Sequence, residues 1–164
     1  MKKRIIIIAS IVVVGLLLAY TGMTVASAYA NSQDKEWGLH IYATDVSSTG
    51  LTLTLQRYGG EREEELVTGD DYWLQVKTLT GWKDLETLDG EIPPYFLVAY
   101  PMDEGDEKTW NENWEYSFGK LSPGIYRISK SSSTWDSSKH SEEEIEELNL
   151  EPTVYATFVV WPWD

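Results

Sequence analysis

The residues best suited to binding chemistry in this sequence are its aromatic side chains. The chain holds eight tryptophans and ten tyrosines in 164 residues. In the run Tyr72–Leu79, Leu74 and Val76 share one face of a predicted strand, which places Trp73 on the opposite face. Exposed aromatic residues bind partners. We therefore expect Trp73, and Trp161 and Trp163 of the terminal "WPWD", to be candidates for binding a protein or glycan.

Carboxylates form the second group that could do chemistry. The stretch "DEGDE" carries four acids around a glycine, and a hard cation such as Ca²⁺ takes several oxygen ligands. Asp103, Asp106 and Glu107 are the metal candidates, although their spacing departs from the known calcium-loop pattern and acidic loops are usually only solvated. No cofactor is expected.

The sequence gives little support for a catalytic site. The chain has no cysteine, and its two histidines, His40 and His140, stand near no nucleophile motif. We therefore expect a protein that is not an enzyme. A carbohydrate-active hydrolase with an acidic pair in a Trp-lined groove remains the alternative, because 27 acidic residues make chance pairs inevitable.

The sequence predicts that short strands, separated by turn signals, position these residues. The run Leu51–Arg57 alternates leucine with polar residues, as a half-buried strand does. The pattern favours an all-β, antiparallel two-sheet sandwich, with a closed barrel as the alternative. The other predicted strands are Gly38–Asp45, Tyr72–Leu79, Pro94–Pro101, Trp110–Gly119, Gly124–Ser131 and Val154–Trp161. Met102–Trp110 is predicted as a loop, and so is Tyr58–Asp71, with a short strand over Glu65–Thr68 as the alternative.

One segment departs from the strand pattern. Ser141 followed by Glu144 has the spacing of a capping box, and the intervening acids suit the positive end of a helix. Pro152 would stop the helix. We predict a helix of two to three turns inserted before the last strand.

The N-terminus resembles a targeting segment. Lys2, Lys3 and Arg4 precede an apolar run, and "ASAYA" offers cleavage sites after Ala28 or Ala30. Residues 1–30 are predicted to be a hydrophobic signal peptide or an N-terminal membrane anchor helix, and 31–164 the folded domain. The domain would be extracytoplasmic, either secreted or anchored, with membrane contact only through residues 5–25 if the segment is uncleaved.

Charge excludes one class of partner. The formal net charge is −14, and every acidic residue follows residue 30. Such a charge repels nucleic acid and anionic lipid surfaces. We therefore expect no nucleic-acid partner.

The central stretch Glu112–Lys130 places an Asn-Trp pair before an aromatic residue, a glycine and then "L-x-x-G-x-Y-R-I-x-K". The positions of this pattern are Asn113, Trp114, Gly119, Leu121, Gly124, Tyr126, Arg127, Ile128 and Lys130. The stretch resembles a family of bacterial immunoglobulin-like domains found in secreted and membrane-attached proteins.

This resemblance implies an immunoglobulin-like sandwich and a non-catalytic binding or adhesion module, with no catalytic residues. Trp114, Gly124, Tyr126 and Arg127 would then be structural. In such folds a tyrosine bonds back to the backbone a few residues upstream, and Tyr126 has the matching position. Alternation would point Arg127 outward, towards a carboxylate on a neighbouring strand.

Overall fold

The computed structural model of the chain describes residues 33–90, 95 and 98–164. The predicted signal or anchor segment, residues 1–30, lies outside the described residues, as do Pro94, Phe96 and Leu97 of the predicted strand Pro94–Pro101. Of the described residues of that strand, Tyr100 and Pro101 are in a strand in the structure. Within the described ranges, no helix combines the length and the apolar character that crossing a bilayer requires.

Two antiparallel sheets form a sandwich. The first sheet has the order β1-β2-β3-β8. Its strands are β1 (Gln33–Asp34), β2 (Leu39–Thr44), β3 (Gly50–Arg57) and β8 (Glu107–Asn113). Along β3 the predicted alternation is confirmed, because Leu51, Leu53 and Leu55 are at most 4% exposed while the residues between them are half-buried.

The second sheet is built around its longest strand, β9 (Gly124–Thr134). On one edge β9 pairs with β10 (Thr153–Val160). Along its other edge, β9 pairs with two different strands, one after the other. Each of these two strands pairs on its far side with one outer strand. These are β4 (Leu66–Thr68) with β7 (Tyr100–Met102), and β5 (Trp73–Thr78) with β6 (Gly81–Asp84).

Aromatic rings join the sheets in the core. Trp114 is fully buried beyond the end of β8, and its ring stacks on Phe158 of β10 at 5.7 Å between centroids. Phe158 stacks in turn on Tyr126 of β9, again at 5.7 Å. Large, fully buried aromatic side chains supply much apolar area, so a core without disulfides is sufficient for a domain of this size.

The predicted loop Met102–Trp110 and the predicted strand Trp110–Gly119 are both wrong in their bounds. Strand β8 already begins at Glu107, after a tight turn, and it ends at Asn113. A short helix, α1 (Glu115–Phe118), follows, and Asn113 Oδ1 accepts a hydrogen bond from the Glu115 amide at 3.0 Å. The segment resembles a loop because β8 presents no aliphatic side chain to the core.

The predicted helical insertion before the last strand is confirmed. Helix α2 (Glu142–Glu147) has Ser141 as N-cap, and the full capping box with Glu144 is present. The helix is shorter than predicted and ends before Pro152, because Asn149 adopts φ +49°. Asn149 also accepts a bond from Trp37 Nε1 at 2.7 Å, which attaches the insertion to the buried start of the first sheet.

Candidate functional site

The side of the second sheet that faces away from the core carries a group of aromatic and cationic side chains. We call it the outer face and define it by Trp73, Trp82, Arg127 and Tyr155. Strand register sets their positions, since Trp73 and Tyr155 both lie beside Ser129, from opposite edges of β9. Trp73 is 47% exposed while the next residue, Leu74, is 1% exposed. The geometry therefore matches the orientation expected for Trp73.

Arg127 lies at the centre of the outer face. Its guanidinium carbon is 4.6 Å from the centroid of the Trp82 ring and 4.1 Å from that of Tyr155. Its Nε donates to Gln75 Oε1 at 2.5 Å. The side chain points outward as expected, but the expected carboxylate partner is wrong among the described residues, because the residues paired with Arg127 on the neighbouring strands are Gln75 and Thr157.

Acidic and cationic groups flank this centre. Gln75 donates to Asp84 Oδ1 at 2.5 Å, so the Gln75 amide links Arg127 to a carboxylate. Lys77 lies 5.0 Å from the centroid of the Trp82 ring. Cation–π contacts of this kind contribute about 0.5–1 kcal/mol each at exposed sites. The outer face therefore has ordered rings and cations that remain accessible to a partner.

Trp161 and Trp163 form a separate group. Their rings stack at 5.2 Å with 6° between planes, and Trp163 is 77% exposed. Asp164 Oδ2 accepts from the Trp161 amide at 2.6 Å, which holds the tail in a turn. Trp161 lies six residues beyond Tyr155, roughly 20 Å along an extended strand, so the structure does not bring all three candidate tryptophans together.

Tyr126, Gly124 and Trp114 lie in the fold's interior framework. The Tyr126 hydroxyl donates to Ser122 O at 2.7 Å, the backward bond that a tyrosine corner requires. A Cβ built on Gly124 would stand 3.1 Å from the Tyr126 ring, so the absent side chain lets the ring fold back. Trp114 Nε1 donates to Ser48 O at 3.0 Å. These contacts position the strands around the corner.

The acidic loop Asp103–Glu107 forms the tight turn between β7 and β8. Asp106 Oδ2 accepts from the Asp103 amide at 2.9 Å, and Glu107 accepts from Gln56 across the strands. Within residues 33–90, 95 and 98–164, no three His, Asp or Glu side chains are grouped closely enough to hold a metal ion. The Asp106 carboxylate is engaged in a turn bond and that of Glu107 in a cross-strand bond.

A polar cluster that sequence reasoning missed lies between the sheets. Lys130 is 1% exposed, and its Nζ donates to Gly69 O at 2.7 Å and Asp71 O at 2.9 Å, where the chain passes from β4 to β5. The Nζ also lies 4.1 Å from the centroid of the Trp110 ring. Burial lowers the pKa of Lys130, and the nearby Glu112 opposes that shift. The sequence signal that could have revealed this cluster is the position of Lys130 on the inward-facing side of the predicted strand Gly124–Ser131.

Glu112 is the second charged member of the cluster. Burial raises its pKa to about 7, and Lys130 offsets part of the effect. Its Oε1 atom is buried and has no hydrogen-bond partner within the described residues. A carboxyl group with a pKa near 7 and an unpartnered oxygen therefore lies between the sheets.

Comparison with known proteins agrees with the sandwich fold and the tyrosine corner described above. A family model described as "Bacterial Ig-like domain" matches residues 33–151, from β1 to the end of the helical insertion. No curated protein gives a significant match. The match covers more than half of the chain and includes the buried tryptophan, the tyrosine corner and the inward lysine. The chain belongs to the bacterial Ig-like domain family.

Proposed function

We propose that this domain is a non-catalytic, extracytoplasmic binding or adhesion module of a bacterial cell envelope or secreted protein. Family membership supports a non-catalytic module. The apolar N-terminal segment with its A-x-A sites supports export or anchoring.

The observation that carries the proposal is the outer face. Trp73 is 47% exposed on the same face as a central arginine, and two further rings hold that arginine in place. Interface hot spots are enriched in tryptophan, tyrosine and arginine. Because these side chains are fixed by strand register and stacking, a partner would meet them already ordered. Trp161 and Trp163 offer a second contact beyond the end of β10.

The alternative, a carbohydrate-active hydrolase, has less support. A glycosidase needs a general acid with a raised pKa facing a second carboxylate across a groove. Glu112 has such a pKa but lies between the sheets. In the cleft that contains Asp136, a hydrogen bond from Lys139 lowers the pKa of that carboxyl instead. A lowered pKa is unsuited to a general acid.

A glycan array combined with a sugar-release assay tests the proposal. We expect the protein to bind one class of glycan, or an envelope protein in a parallel overlay, without releasing sugars from any glycan it retains. Release of reducing sugars in proportion to protein would contradict a non-catalytic module. Absence of binding in both formats would contradict the binding role.

A further inference from the structure

A cleft of about 450 Å³ lies between the loop before β4 and the helical insertion. Neither segment takes part in the outer face. Glu64 and Glu65 line it from the loop, and Trp135, Asp136 and Leu150 line it from the insertion. Its volume falls within the range of small-ligand sites, roughly 300–1,000 Å³.

The carboxylates of the cleft are incompletely neutralised. Glu64 Oε1 is 3.8 Å from Arg62, a loose pair, and Asp136 is paired with Lys139 at 2.5 Å. Glu65 has no ion-pair or hydrogen-bond partner among the described residues. The cleft therefore retains negative charge that a cation would offset.

Three other lining residues indicate what kind of cation fits. Trp135 is 57% exposed, and an indole ring next to carboxylates attracts organic cations. Leu150 is 8% exposed and adds an apolar surface suited to an alkyl stem. Thr134 is 9% exposed, and its Oγ1 has no hydrogen-bond partner within the described chain. An N–H donor entering the cleft would satisfy that hydroxyl.

A metal ion fits these groups poorly. Metal coordination needs several side chains converging on one point. No such group of three acidic or histidine residues exists within the described residues. An aromatic ring and an apolar wall favour a larger, organic ligand.

We propose that this cleft binds a primary ammonium group on an alkyl stem. A lysine side chain of a partner protein and a free diamine share that chemistry. The carboxylates take the charge, the Trp135 ring covers the ammonium, and Leu150 packs against the stem.

Calorimetric titration with three probes tests this. Nα-acetyl-lysine methylamide represents a lysine in a protein, its Nε-acetylated derivative has the same stem without the charge, and cadaverine represents a free diamine. We expect the charged lysine probe to bind at least about tenfold more tightly than the acetylated one, a difference of about 1.4 kcal/mol. Whichever of the lysine probe and cadaverine binds more tightly identifies the source, and either result supports the site.

Variants locate the binding. Trp135→Leu and Glu65→Gln should each weaken binding of the lysine probe about fivefold or more, whereas Tyr116→Leu, at an exposed aromatic residue outside the cleft, should leave it unchanged. All three positions are exposed, so folding is preserved and is checked by far-UV circular dichroism. The proposal is overturned if the acetylated probe binds equally well, if no probe binds saturably, or if only Tyr116→Leu reduces binding.

Discussion

Among single residues, Glu112 has the environment least expected from the sequence. Its position on β8 opposite Leu51 turns the carboxyl into the space between the sheets, beside the buried Lys130. The family resemblance marked Lys130 as a motif residue, and alternation with Tyr126 and Ile128 places it on the inward face of its strand, but no sequence rule identified what would satisfy its charge there. Its hydrogen bonds to two carbonyls explain why a lysine is stable there.

We predict that Glu112→Gln removes a pH dependence of stability. The folded-state pKa of about 7 lies above the ordinary value of 4.5. The carboxyl therefore contributes its full stability below pH 4.5 and loses it as the pH rises through 7. After allowance for partial exposure, the variant should be more stable than wild type by about 1–2 kcal/mol at pH 8 and nearly equal at pH 4.5. Urea unfolding at both pH values measures this, and a difference that does not change with pH would contradict it.

Tyr126→Phe should destabilise the fold by about 1–3 kcal/mol. The substitution leaves Ser122 O without the donor that closes the corner. Tyr116→Phe is the matched control, because Tyr116 is 82% exposed and should change the unfolding free energy by less than about 0.5 kcal/mol. Equal losses in the two variants, measured by urea unfolding, would remove the corner from the explanation of this fold.

At the scale of elements, patterns with a strong local cause were predictable and those decided by tertiary contacts were not. The alternation of β3 and the capping box of α2 are each determined by residues close together in the sequence. The first half of β8 was predicted as a loop because the inward residues of the strand are Lys108, Trp110 and Glu112, a pattern typical of a polar loop until the cluster around Lys130 is known. The partner of Arg127 depended on the register of β5 and β10, which a single sequence does not contain.

The end of the helical insertion is held by Asn149, and a pair of substitutions tests how. Its Nδ2 donates to Asp34 Oδ2 at 3.1 Å and Glu36 Oε2 at 3.0 Å, while its backbone adopts φ +49°. Asn149→Gly keeps that backbone and loses only the side-chain bonds, whereas Asn149→Ala adds strain of about 1 kcal/mol. We expect faster amide exchange at Leu148 and Leu150 in both variants, with the alanine variant faster. Amide exchange rates equal to those of the wild type in both variants would show that Asn149 does not hold the insertion.

At the scale of the whole molecule, the sandwich separates three regions with different chemistry. The outer face carries ordered rings and cations, the interior cluster holds a titrating carboxyl, and the cleft beside the insertion holds unneutralised acids. The chain as a whole is strongly acidic, with a formal net charge of −14. This net negative charge repels anions at long range. An anionic partner would therefore bind the cations of the outer face only through local contacts.

The measurement that tests the proposed binding role most directly compares Trp73→Ala with Tyr116→Ala on the best ligand from the array or overlay. Both residues are exposed aromatics, but only Trp73 lies on the outer face. We predict that Trp73→Ala weakens binding about tenfold or more, as expected for a hot-spot residue, while Tyr116→Ala changes it less than about twofold. Undiminished affinity in Trp73→Ala, or an equal loss in both variants, would contradict the assignment of binding to this face.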